Sequence, residues 1–289
     1  MTSYLGIDLA WAARARTGLA ALDETGRLVA SIAVITDDEI ADFVDAHTSG
    51  TVVAAIDAPL IVPNATGSRV PEQLVSREFG PYNAGAYPSN RSRPLFDPPR
   101  GETLCARFGW DPDPATAPGR GTSVAIEVYP HPAMVVLFAL ASVLPYKAKR
   151  GRGLDSLKVA FMSLLDHMER VCDEPLGLTT SARWEEIRSA VSSAGRIADL
   201  DRVEDEVDAV LCAYLAWLWG TGSPAMRVLG DVRSGYIVVP GSPSVPPARP
   251  VRARALDLAD EFRAAVPSLT RREAERLAEI ARERARVTF

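Results

Sequence analysis

Acidic side chains at the ends of apolar runs are the residues of this sequence best suited to chemistry. Gly6-Ile7-Asp8 and Ala55-Ile56-Asp57 close two strand-like runs in the same way, and Ala125-Ile126-Glu127 repeats the pattern near the end of a third. A carboxylate in a half-buried strand is costly unless it is paired or meets a cation. A further group lies in Arg202-Val-Glu-Asp-Glu-Val-Asp-Ala209, where Asp205 and Asp208 are spaced to project from one helical face. The helix dipole alone favours acids in a first turn, which accounts for Asp201 and Glu204 and in part for Asp205. Asp208 sits deeper, directly before a long apolar run, and the dipole does not account for it.

Gathered together, such carboxylates cannot all stay ionised without compensation. Hard divalent cations with oxygen ligands, magnesium or manganese, are the natural partners. Two such ions can activate a water and stabilise a leaving oxygen in phosphodiester hydrolysis. The expected catalytic set is Asp8, Asp57, Glu127, Asp205 and Asp208, with Asp8, Asp57, Asp205 and Asp208 as the metal ligands. Zinc is not expected, since His47, His131 and His167 are isolated and Cys105, Cys172 and Cys212 are scattered. His131 alone lies near the proposed rim, as a structural residue more readily than a base.

The elements that must position these acids can be read from periodicity. Tyr4–Asp8, Thr17–Leu22 and Arg27–Ile35 form an antiparallel meander, the last two joined by Asp23-Glu-Thr-Gly26. Thr36 and Glu39 form a capping box that opens a helix to about His47. Thr51–Asp57 is nearly continuous in apolar residues, as in a strand buried on both faces, and is reached through a helix, so it runs parallel to an earlier strand. Proline, glycine and arginine crowd residues 61–121, an insertion of loops with one helix at Pro71–Phe79. Ser123–Tyr129 is another buried strand, placing Asp8, Asp57 and Glu127 on one rim at the strands' carboxyl ends, where open α/β sheets bind ligands. Helices follow at about His131–Val143, Leu154–Val171, Ser181–Ser193 and Leu200–Trp219, then a short strand at Gly235–Pro240. A proline-rich link, Gly241–Pro250, precedes two charged helices, Ala255–Val266 and Ser268–Arg286, the second opened by a capping box of Thr270 and Glu273. The division expected is a body over 1–240 and a helical appendage over 241–289, which packs on the body, a partner or a second copy.

Charge bears on partners. The net charge of -5 argues against a broad basic face for long nucleic acid, so any such face must be local. Lys147–Arg152 and Arg249–Arg254 are the segments that could supply one. Lys147 and Arg150, with Arg77 and Arg91 from the insertion, are the expected substrate-phosphate contacts, and Trp11 could stack a base. No run approaches the roughly 20 apolar residues of a membrane span, and no basic flank or cleavable apolar segment opens the chain. The expectation is a cytoplasmic protein without a membrane partner.

Gly-Ile-Asp-Leu-Ala-Trp at 6–11, Thr17-Gly18-Leu19, Ile-Asp-Ala-Pro-Leu at 56–60, Glu-Val-Tyr-Pro-His-Pro at 127–132, Tyr146-Lys147 and Glu-Asp-Glu-Val-Asp-Ala at 204–209 together resemble the family called domain of unknown function 429. The resemblance spans about residues 3–240 and implies a nuclease of the ribonuclease H-like fold. It implies an α/β architecture with a mixed five-stranded sheet in the order 3-2-1-4-5, strand 2 antiparallel, flanked by helices. Within that wider group, Asp8, Asp57, Asp205 and Asp208 fit the acid positions of Holliday-junction resolvases in order, whereas Glu127 matches no required position. The function expected is metal-dependent phosphodiester hydrolysis, on nucleic acid or a smaller phosphodiester. Two alternatives remain open: a non-catalytic binding module of the same fold, and an ATP-using enzyme of the same fold group. The second lacks a glycine-rich phosphate turn between Ala10 and Thr17.

Overall fold

The computed structural model describes residues 1–12, 15–119, 121–248, 262–263, 266 and 268–287. Three strands open the chain as a meander, β1 (Thr2–Asp8), β2 (Thr17–Leu22) and β3 (Leu28–Val34), followed by helix α1 (Asp37–His47) and strand β4 (Thr51–Ile56). Thr36 caps α1 as expected, its hydroxyl accepting from the Glu39 amide while Glu39 reaches back to the Thr36 amide. Helices α2 (Val70–Phe79) and α3 (Arg100–Phe108) precede strand β5 (Val124–Glu127). The remaining elements are α4 (Pro130–Leu137), α5 (Leu154–Leu176), α6 (Ala182–Ser193), α7 (Ile197–Gly220), the strands β6 (Arg227–Asp231) and β7 (Gly235–Val239), and α8 (Arg271–Val287).

The five-stranded sheet has the order β3-β2-β1-β4-β5, with β2 antiparallel to both its neighbours and β1, β4 and β5 parallel. This is the expected order and sense. One face packs against α5, α6 and α7 through Tyr4, Val53, Ala55 and Ile126; the other packs against α1 and α3 through Leu5, Ile7, Ile56 and Ala125. The central strands therefore alternate their side chains between two cores, which explains the unbroken runs Tyr4–Ile7, Val52–Ile56 and Val124–Ile126 without a polar side chain.

Helix α7 lies at the centre of the first core, its backbone directly on the sheet. A Cβ on Gly6 would lie 2.0 Å from the carbonyl oxygen of Ala209, and one on Gly18 would lie 1.8 Å from that of Asp205. Glycine at both positions is what lets the helix come this close.

Some expectations need correction. The insertion carries a second helix, α3, between Pro99 and a left-handed Gly109, and its Leu104 and Cys105 fill the second core. Helix α4 stops at Leu137 rather than running to Val143, and Ala139 beyond it takes a left-handed conformation with φ of 51°. Strand β7 pairs with an unanticipated β6 in a two-stranded ribbon, and a bridge from Val238 to Val128 ties it to the end of β5. Thr270 and Glu273 cap α8 as expected; the helix expected at Ala255–Val266 and the basic segment Arg249–Arg254 lie largely or wholly outside the described residues. No described helix is long and apolar enough to cross a membrane.

Candidate carboxylate site

Strand register decides which acids meet. Ile7 pairs with Ile56, so the next residues, Asp8 and Asp57, stand side by side, and the Asp57 amide donates to the Ile7 carbonyl at 2.8 Å. Both fall in step with Tyr4, Val53 and Ala55, on the face that carries α7. Glu127 pairs with Ile56 rather than with the residue after it. A one-residue offset in a strand turns the side chain to the other face. Glu127 is thereby turned away from the face that carries α7, while it still acts on Asp57 and lines the small cavity with it. Its carboxylate is buried and gripped by Arg69, at 2.6 Å to Nη2 and 2.8 Å to Nη1, and it accepts from the Leu60 amide at 3.0 Å. Arg69 also pairs with buried Glu72 at 2.8 Å. Burial pushes the Glu127 pKa up and Arg69 opposes it. Glu127 anchors the insertion to β5.

Helix α7 supplies the other acids. It starts at Ile197 rather than Leu200, so Glu204 and Asp205 lie beyond its first turn and the dipole does not explain them. Asp208 is fully buried. The Tyr146 hydroxyl sits 2.7 and 2.9 Å from its two oxygens, and the Lys147 ammonium is 2.6 Å from Oδ2. Lys147 also stands 3.5 Å from Glu204. Glu206 points elsewhere, to Arg183 and Ser31. Burial alone would lower the Lys147 pKa, but Asp208, Tyr146, Asp8 and Glu204 hold it well above the usual lysine range.

The electrostatics of the rim are those of too many carboxylates for one cation. Burial raises Asp8 well above the usual carboxylate range; Lys147 opposes this, while Asp208, Asp57 and Asp205 add to it. For the same reasons Asp57 is pushed up to about 7, by burial first and then Asp208 and Glu127 against the pull of Lys147. Burial and Asp208 likewise take Glu204 to about 7 and Asp205 to about 6. Among the described residues no hydrogen-bond donor meets the carboxylates of Asp8 or Asp57. As placed, no three His, Cys, Asp or Glu side chains among the described residues stand close enough to hold one metal ion. The ammonium of Lys147 is what Asp208 meets instead.

Two cavities open beside the acids. One, of about 60 Å³, reaches Asp57 between Trp11, Tyr87, Tyr129 and Arg69. The other, of about 770 Å³, runs from Lys147 past Tyr129 and His131 to Lys149 and Arg152. His131 is half-buried beside Tyr129, with Nδ1 3.2 Å from its hydroxyl, and desolvation with Lys147 lowers its pKa to about 4, so it is neutral at pH 7.

The residues expected to hold phosphate divide. Lys147 is at the centre. Arg91 is engaged within the insertion by Asp97, Glu102 and the Val62 carbonyl. Arg77 and Arg150 are exposed and line neither cavity. Trp11 is 39% exposed on the rim, edge-on to Phe96. Sequence reasoning passed over Arg69 and underrated Glu204 and Tyr146. It also passed over Arg100, which ties the loop after β1 to α1 through the Ala10 carbonyl and Asp37. Tyr146, as the neighbour of Lys147, and Glu204, at the head of the acidic motif, left a trace; Arg69 and Arg100 left none.

The model of the family described as "Protein of unknown function (DUF429)" matches residues 6–232. The chain belongs to this family. The match takes in both glycines under α7 and Asp8, Asp57, Glu127, Glu204, Asp205 and Asp208, and it carries the DUF429 description without an activity. No curated protein and no solved structure matches the chain.

Proposed function

We propose that this DUF429 protein is a divalent-metal-dependent phosphodiesterase of the ribonuclease H-like type. The observation that carries the reading is the excess of carboxylates: Asp8, Asp57, Glu204, Asp205 and Asp208 surround a single ammonium, Lys147. By its chemistry the donor set suits magnesium or manganese, being all oxygen, partly buried and short of cations, and the side chains must draw together to share an ion. Asp8, Asp57, Asp205 and Asp208 would hold the metal, which when bound supplies Lewis-acid stabilisation of charge on the oxygens of a phosphodiester and a nucleophile at neutral pH. Tyr146 fixes the orientation of Asp208. Lys147 neutralises Asp208 in the metal-free protein and, once turned away from it, is placed to meet a phosphate in the larger cavity that it lines. The small cavity at Asp57 has room for water beside that carboxylate.

The Lys147–Asp208 pair favours one other reading, in which the ammonium alone balances the acids and the chain is a binding module. Thermal unfolding of wild type and Asp8→Asn with and without manganese separates the two. A rise in midpoint with manganese that Asp8→Asn removes, together with manganese-dependent cleavage of bis(p-nitrophenyl) phosphate lost in the same variant, is the expected result. No shift in wild type would leave the binding module.

A further inference from the structure

The larger cavity has a charge opposite to that of the chain. Lys147, Lys149 and Arg152 line it, and no carboxylate does, although the whole protein carries a net charge of -5. Its volume of about 770 Å³ falls in the range of roughly 300–1,000 Å³ that holds a small organic ligand. Arg152 uses one guanidinium nitrogen on the Lys147 carbonyl, at 2.7 Å, which fixes the side chain at the wall and leaves further donors for an anion. Tyr87, 69% exposed, stands on the partition between this cavity and the small one at Asp57 and lines both. An exposed aromatic ring flanking a cationic cleft is the pairing by which proteins hold an unstacked base and its phosphate.

We propose that the cleft binds a single nucleotide unit, its phosphate on Lys149 and Arg152 and its base on Tyr87, with Lys147 at the inner end next to the acids. The fate of that ligand rests on the hydrolysis reading above; its place of binding does not. A duplex is disfavoured because its stacked, paired bases present no free base face to Tyr87.

Calorimetric titration in EDTA tests this on the full chain, with thymidine 5′-monophosphate, thymidine, inorganic phosphate and a short DNA duplex as probes. Thymidine 5′-monophosphate should bind more tightly than thymidine, phosphate or duplex. Arg152→Gln and Tyr87→Ala should each weaken it by roughly tenfold or more, and Arg77→Gln, at an exposed arginine that does not line the cleft, should not. All three positions are at least partly exposed, so unchanged thermal midpoints show that the variants are folded. Failure of wild type to bind thymidine 5′-monophosphate would overturn the proposal. So would binding indifferent to Tyr87→Ala, or tighter binding of the duplex. Nucleotide binding without a manganese shift would keep the cleft and remove the hydrolysis; a manganese shift without nucleotide binding would do the reverse.

Discussion

At the scale of single residues, the distinctive feature is that carboxylates are kept where they resist ionisation. Asp57 and Glu204 are raised to about 7 and Asp205 to about 6, chiefly by burial. For an acid whose pKa is higher in the folded than in the unfolded chain, the folded state holds more protons between the two values. Stability therefore falls as pH rises from the ordinary carboxylate range near 4 to about 7, and levels off above. Urea midpoints of the metal-free protein across that window should show this fall, and Asp57→Asn should flatten part of it. An unchanged slope in Asp57→Asn would mean that Asp57 ionises normally. Much of this was legible in the sequence, because an acid that ends an apolar run advertises an unpaid desolvation. The partner that each acid finds was not legible. Arg69 lies in a proline-rich segment and reaches Glu127 across 58 positions, and nothing local to either residue signals the pair.

At the scale of elements, the site depends on how closely α7 approaches β1 and β2. Asp8 meets Asp205 and Asp208 because Gly6 and Gly18 leave the helix backbone against the strands. Gly18→Ala would drive a methyl group to 1.8 Å from the Asp205 carbonyl oxygen, with backbone on both sides and no flexible side chain to give way. Overpacking of this kind costs about 1–3 kcal/mol or more, and the helix should lift at the turn that bears Asp205. A lower urea midpoint with a weakened manganese response is the expected outcome; a variant as stable as wild type would mean that the contact is looser than described. The strand pattern was readable because continuous apolar runs of this length admit few alternatives, and the capping boxes of α1 and α8 marked their starts. Helix α3 was hidden by its flanks, a proline before it and a left-handed glycine after it, which also read as loop. Register was unreadable for a simpler reason. The same Ile-acid pattern ends β4 and β5, yet the strands pair one residue out of step, and periodicity carries no information about offsets between strands.

At the scale of the whole molecule, the family match and the folded unit end at different places. The match stops at residue 232, but β7, at Gly235–Val239, is wholly buried. Tyr236 donates to the carbonyls of Pro112 and Ala125, and Val238 bridges to Val128 beyond β5. A chain ending at residue 232 should lose cooperative unfolding in urea, whereas one ending at residue 248 retains β7, the bond from Tyr82 to the Val245 carbonyl and that from the Ala248 amide to Ala141. A cooperative transition in the shorter chain would show that the ribbon is dispensable. The insertion joins the same assembly, since α2 packs on β6 and β7 through Val75 and Phe79.

The single-residue step between Asp57 and Glu127 has a consequence for how this protein can vary. It sends neighbouring carboxylates to opposite faces of the β4–β5 pair, Asp57 toward α7 and Glu127 toward Arg69 of the insertion, with one small cavity touching both. Adding or deleting a residue in β5 would turn Glu127 toward the acids of α7 and leave the Arg69 guanidinium without that partner in the interior. Substitutions can accumulate on either side independently, but insertions and deletions in these strands cannot. The length of β5 is a harder constraint on this architecture than the identity of most residues within it.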